Sequence, residues 1–280
     1  MTDKKVLTLQ DLSCYGQCSL TVALPIISAC GVETAILPSA VLSTHTGGFT
    51  GYTFRDLTDD IPGIRQHWEK EGISFDCLYT GYLGSIRQID YVYDLRRKVV
   101  KENGLLIVDP AMADNGKLYF GFDMKFAARM AELCGSADII LPNITEACFM
   151  TGTEIKSEAQ DAAYITGLLE KLAALGPKKI VLKGICLEPG KISIAVYDCE
   201  TGRSDYYYTE KISRSSHGTG DCYAAAFTGA IMQGKDVLSA ASLAADFVVE
   251  SLRKTIDDEA HGYGVKFEKA LPMLLKALNK

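Results

Sequence analysis

The chain contains no GxxxxGK[ST] segment and no GxGxxG turn between a strand and a helix, which excludes a Walker-type phosphate loop and a Rossmann dinucleotide site. It also lacks a CxxC pair. Its nine cysteines lie scattered at 14, 18, 30, 77, 134, 148, 186, 199 and 222 with no histidine at ligand spacing, so a thiolate metal site is excluded and most are small apolar core residues of a reducing compartment. No basic run occurs, and 29 basic against 35 acidic residues give a net charge of -6, so neither nucleic acid nor an acidic membrane is expected as a partner. No apolar stretch is long enough for a signal peptide or a membrane span, and the N-terminus MTDKKVLTLQ is a charged lead into a short apolar run. The expected location is the cytoplasm. No repeat, linker or low-complexity tract appears, so 280 residues with 48% hydrophobic content predict one domain over 1–280.

What is present is an alternation. Short apolar runs at Val6 to Leu9, Thr34 to Leu37, Cys77 to Thr80, Leu105 to Val108, Ile139 to Leu141 and Ile180 to Leu182 are separated by amphipathic stretches. Those stretches are Asp56 to Lys70, Ile89 to Lys101, Ala159 to Leu175 and Val237 to Lys254. The pattern predicts βαβ units, with a hairpin of Lys191 to Tyr197 and Arg203 to Thr209, and helices starting near Ser19, Cys222, Asp236 and Lys266. Asp11, Thr44 to Gly48, Gly81, Asp109, Asn143 and Lys183 follow the predicted strands, and open α/β sheets bind ligands at that carboxyl edge. Cys14 and Cys18 fall in the same region and are expected to be accessible to thiol reagents.

The segment SHGTGDCYAAAFTGAIMQG, from Ser216 to Gly234, sets Gly218, Thr219 and Gly220 before Asp221 and an apolar helix. Glycines there let backbone amides turn toward an anion, and the helix dipole adds positive charge. Asp221 then reads either as a base that deprotonates a hydroxyl beside that anion hole or as a cap for the helix. Asn143 and Glu146, three apart after a strand, suit water around a nucleotide-bound magnesium ion and equally suit a capping box. Asp109 and Asp114 suit the retention of that cation, with turn chemistry as the alternative, and Lys183 suits a phosphate contact or a solvated surface. Thr44, His45 and Thr46 precede a double glycine in a loop fit to hydrogen-bond a heterocycle or an alcohol, while a lone histidine is more often structural. Tyr82 suits stacking on a flat substrate or is an ordinary half-buried aromatic.

With GTGD at 218–221, NITE at 143–146, DPAMAD at 109–114, GYLGS at 81–85 and STHT at 43–46, the chain resembles the ribokinase-like superfamily and, within it, the pyridoxal (vitamin B6) kinases. The motifs occur in that family's order over nearly the whole length. The resemblance implies a three-layer α/β/α ribokinase-like fold with a central mostly parallel sheet, a homodimer, and phosphorylation of the 5′-hydroxymethyl group of pyridoxal, pyridoxine or pyridoxamine by ATP with Mg2+, with a monovalent cation as a further candidate cofactor. It assigns Asp221 as base and the amides of Gly218, Thr219 and Gly220 as anion hole. Asn143 and Glu146 would serve magnesium and phosphate, Asp109, Asp114 and Lys183 would border the nucleotide, and Asp11, Thr46 and Tyr82 would surround the pyridine ring. Asp11 stands where the family commonly has serine, and a carboxylate there favours a cationic partner such as pyridoxamine. Hydroxymethylpyrimidine kinases, which usually carry cysteine at the place of Asp221, are the alternative, as is a non-catalytic nucleotide or vitamer sensor. A sugar substrate is disfavoured because the first loop leaves no room for a β lid.

Overall fold

The computed structural model describes residues 4–156, 160–213 and 216–279. Strand β1 (Lys5–Ser13) is buried along most of its length, as a strand covered on both faces must be, and Val6, Leu7 and Leu9 expose nothing. Helix α1 (Leu20–Ala29) leads to β2 (Glu33–Leu42), which pairs parallel with β1 from Lys5 opposite Glu33 to Ser13 opposite Leu42. Their register slips between Gln10 and Leu12, so Asp11 stands at an irregularity of the ladder. β3 (Phe54–Asp56) adds antiparallel to β2, and α2 (Ile61–Lys70) leads to β4 (Phe75–Thr80), which pairs parallel with the other edge of β1. α3 (Ile86–Val99) follows, its N-cap Ser85 accepting from the Gln88 amide. These elements belong to a compact unit that takes the chain up to Gly104 together with everything from Ile212 onward.

The second unit is the intervening stretch, Leu105–Lys211, and β5 (Val100–Val108) runs into it from the first. A minimal antiparallel pair, β6 (Ala113–Asp114) and β7 (Lys117–Leu118), precedes α4 (Met124–Gly135). β8 (Ile139–Ile140) pairs parallel with β5 and leads to α5 (Ile144–Thr151) and α6 (Ala162–Ala173). β9 (Lys179–Ile185) then pairs parallel with β8, and the hairpin of β10 (Lys191–Asp198) and β11 (Arg203–Glu210) completes the order 11-10-9-8-5. The core of this unit is Leu106, Ile107, Val108, Ile140, Leu141, Ile180, Val181 and Leu182, all without exposed surface.

The chain returns to the first unit with α7 (Thr219–Met232), α8 (Val237–Arg253), a 3-10 turn at Phe267–Lys269 and α9 (Leu271–Ala277). Helix α7 is apolar on all sides and buried from Cys222 through Ala230, as a helix enclosed by its neighbours must be. A β-carbon on Gly229 would come within 2.5 Å of Cys30 Sγ, so α7 can approach the end of α1 because position 229 has no side chain. No helix among the described residues is long and apolar enough to cross a membrane.

Several expected boundaries move for local reasons. The stretch from Asp56 to Lys70 is not one helix: Asp56 closes β3, its Oδ1 accepts from the Thr58 amide (2.8 Å) and hydroxyl (2.6 Å), and Pro62, acceptable only in a first turn, sits near the start of α2. Asp11 and Lys183 lie inside β1 and β9, not beyond their ends. α3 ends at Val99 and β5 begins at Val100, five residues earlier than its apolar run. The final helical segment is interrupted at Ala270, before Pro272 in the first turn of α9. The expected helix start at Ala159 lies outside the described residues; α6 is seen from Ala162, capped by Asp161.

Candidate active site

The first turn of α7 is built from backbone. Its N-cap is Gly218, in the left-handed region at φ 75°, a residue with no side chain to cap the helix. Asp221 is therefore not the cap; it is the third residue of the helix, half-buried, in a turn whose leading amides have no intrahelical acceptor. A β-carbon on Gly218 would overlap the Gln17 carbonyl oxygen, so only glycine fits both the angle and the space.

Asp11 is 6% exposed. Its Oδ1 accepts from Ser19 Oγ at 2.5 Å and its Oδ2 from Ser13 Oγ at 2.8 Å. Burial raises its carboxyl above the ordinary range, while the two hydroxyls, its own amide and His45 pull it back down. The Cys18 thiol is pushed well up, first by burial and then by Asp221 and Asp11, so this sulfur feels both carboxylates. Tyr82 is half-buried and its hydroxyl is pushed up to about 12 by burial and by Asp11. The first unit thus gathers Asp11, Tyr82, Cys18, Asp221 and the Gly218 turn.

The loop after β2 joins them. Cys14 and Tyr15 donate their amides to Leu42 and Ser43 carbonyls (2.8 and 3.1 Å), which seats Thr44 to Gly48 beside the first loop. His45 is buried, and both ring nitrogens are spent on backbone: Nε2 donates to the Tyr263 carbonyl at 2.8 Å and Nδ1 accepts from the Gly47 amide at 3.1 Å. That pattern requires the neutral ring, so its hydrogen bonds hold the loop. Thr46 is exposed, and Thr44 Oγ1 is buried without a hydrogen-bond partner among the described residues.

Burial lowers the His45 pKa from 6.5, the Tyr263 carbonyl opposing the shift and His217 adding to it. A histidine with a lowered folded pKa gives stability that is present above about 6.5 and is lost as pH falls through the folded value. As pH falls below 6.5 the wild-type thermal midpoint will therefore drop relative to that of His45→Gln; a constant difference between the two proteins would contradict the neutral-ring assignment.

In the second unit Asn143 is the N-cap of α5 and forms a full capping box with Glu146: Asn143 Oδ1 accepts from the Glu146 amide (2.9 Å) and Glu146 Oε2 from the Asn143 amide (2.8 Å). Glu146 Oε1 also accepts from the Met112 amide at 3.2 Å, and Asn143 Nδ2 donates to the Ala113 carbonyl at 2.9 Å. Lys183 Nζ donates to the buried Asp109 Oδ1 at 3.1 Å. Burial pushes the Glu146 carboxyl up to about 8, Asp109 adding to the rise and Lys183 opposing it; Asp109 is raised by burial and lowered by Lys183. Two carboxyls and one ammonium thus share a dry site. Asp114 is exposed, and both its oxygens accept from Asn115, at 2.8 and 3.1 Å, which is turn chemistry.

Among the described residues no three acidic, histidine or cysteine side chains converge as a metal cage. The oxygens of Asp109, Asn143 and Glu146 fit a hard cation held mainly by phosphates and reached through water, because Glu146 already spends both oxygens on backbone amides.

Ser13, Gln17, His261 and Tyr263 join the site with no motif to mark them, and Ser19 is marked in the sequence only as a helix start. Gln17 Oε1 meets His261 Nε2 at 2.9 Å, its Nε2 donates to Glu268 at 2.7 Å, and its amide reaches the Tyr263 carbonyl. A glutamine with partners 244 and 251 positions away leaves no local signal.

The phosphomethylpyrimidine kinase family model matches residues 26–265. The chain belongs to this family. A candidate phosphomethylpyrimidine kinase of Bacteroides thetaiotaomicron, solved in a crystal form with pyridoxal, is 35% identical over 98% of this chain and 96% of its own, with a TM-score of 0.91. The pyridoxal kinase of Lactobacillus plantarum is 31% identical, covering 99% and 98%, with a TM-score of 0.89. The pyridoxal kinase of Arabidopsis thaliana is 28% identical over 264 residues, 91% of this chain and 83% of the relative. This phosphomethylpyrimidine kinase family member has the ribokinase-like α/β/α fold with mostly parallel strands, and it is a phosphotransferase with an alcohol group as acceptor.

Proposed function

We infer that the protein transfers the γ-phosphoryl group of ATP to the 5′-hydroxymethyl group of pyridoxal, pyridoxamine or pyridoxine. The observation that carries this reading is at the start of α7: a carboxylate, Asp221, stands in the first turn of a helix whose N-cap is a glycine. In-line phosphoryl transfer asks little covalent chemistry of the protein, so positioning and charge neutralisation supply most of the acceleration. Asp221 accepts the alcohol proton, the alcohol oxygen bonds to the γ-phosphorus, and the bond to the departing ADP oxygen breaks. The amides of Gly218, Thr219 and Gly220 hold the phosphoryl oxygens.

Asp11, Tyr82, Thr44 and Thr46 face the heterocycle in this reading, with His45 contributing through its ring face. Lys183, Asp109, Asp114, Asn143 and Glu146 border the nucleotide, and Asn143 and Glu146 would hold Mg2+ through water. A bound magnesium ion would neutralise charge on the phosphates. Both units serve one kinase domain, the protein acts as a cytoplasmic homodimer, and a monovalent cation is a further candidate cofactor.

The family's own description favours one second reading, a substituted methylpyrimidine acceptor, of which hydroxymethylpyrimidine is the probe. A single panel separates the two. ADP release is expected with the three B6 vitamers and to be much weaker with hydroxymethylpyrimidine; the reverse order would replace the reading, and ADP release with none of them would leave a nucleotide or vitamer sensor.

A further inference from the structure

Ser19 is the N-cap of α1, yet its hydroxyl makes no capping bond. Serine is among the best N-cap residues because its oxygen accepts from the helix's first free amides. Here the same oxygen donates to Asp11 Oδ1 at 2.5 Å. The backbone at Ser19 is also unusual, with φ 53° and ψ -128°, a region that favours glycine. A buried, 5% exposed serine has thus forgone its capping role and adopted a strained backbone, and what it holds in return is a carboxylate.

That carboxylate has a second hydroxyl donor, Ser13 at 2.8 Å, and stands where the β1–β2 register slips. Two hydroxyls occupy two of its roughly four acceptor positions. The ionisable groups that face it are His45, whose ring nitrogens are both spent on backbone, the Cys18 thiol and the Tyr82 hydroxyl. None of these is a cation at neutral pH, so the remaining acceptor capacity of Asp11 suits an N–H donor carrying positive charge.

We propose that Ser19 is a positioning residue, which at the expense of capping α1 orients the Asp11 carboxylate to receive a cationic N–H group of the substrate, so that the preferred acceptor is a protonated nitrogen heterocycle or amine bearing the alcohol. This rests on the reading above, and it adds the residue that sets the carboxylate on which a cationic acceptor depends.

The test uses Ser19→Gly in the full chain, because glycine relieves the backbone strain while deleting the hydroxyl. The variant should melt close to the wild-type temperature, relief of strain offsetting the lost hydrogen bond, yet kcat/KM for pyridoxamine should fall by about tenfold or more, mostly through KM, since hydrogen bonds to charged groups are the strong ones. Without the Ser19 donor the Asp11 carboxyl should titrate at higher pH. Carbon-13 NMR of the aspartate carboxyls reads this directly, the Asp11 signal being identified by its loss in Asp11→Asn. An unchanged KM together with an unmoved Asp11 titration in Ser19→Gly would overturn the inference. If the wild-type protein turned over no B6 vitamer, the functional reading would fail by itself, and the NMR titration would still decide whether Ser19 sets the state of Asp11.

Discussion

Asp221→Asn will lower kcat by about 10²- to 10⁴-fold while ATP binding persists, the range expected on removing a positioned general base. Asparagine keeps the shape of the side chain and loses its charge and its ability to take a proton. The fold should tolerate it, because an acidic side chain in a helix's first turn contributes roughly 0.3–1 kcal/mol through the dipole. Steady-state kinetics beside calorimetric titration of nucleotide separates the two effects. Wild-type turnover in the variant would reduce Asp221 to a dipole partner of α7 and remove the proposed base.

Gly218→Ala is expected to be as damaging by a different route. Alanine at φ 75° is strained, and its β-carbon would run into the Gln17 carbonyl oxygen, so either the turn or the first loop must move. Together these should cost about 2–4 kcal/mol of stability. The shift would also take the α7 amides away from the phosphoryl group, and loss of such a donor lowers kcat by roughly 10²–10³. Thermal unfolding and kcat measured on the same sample check both halves. Gly220→Ala is the control, since a β-carbon there meets nothing within 4 Å; equal losses in the two variants would show that the turn's geometry is not the cause.

The alternation of apolar runs and amphipathic stretches was enough to anticipate the strands that matter, because β1, β2, β4, β5, β8 and β9 are each covered enough to read as apolar in the sequence. β3 escaped because its three residues are exposed at an edge. The β6–β7 pair escaped because two residues per strand carry no periodicity. The Gly218 turn and the Asn143–Glu146 box were legible as local patterns, whereas the serines around Asp11 were not. Ser19 in particular reads as an ordinary helix cap, and only its dihedral angles and hydrogen-bond partner reveal another use. His45 shows the converse: its position suggested a ligand contact, and its backbone partners give it the structural task that a lone histidine more often has.

The first unit is assembled from both ends of the chain, while the second is one uninterrupted stretch. During synthesis the strands β1, β2 and β4 emerge early, but α7 and α8 leave the ribosome only after the whole of the middle segment. The early strands must therefore wait with apolar surface uncovered, whereas the middle segment has all its own residues once Lys211 has emerged. Dependence on chaperones should accordingly concentrate in the N-terminal hundred or so residues.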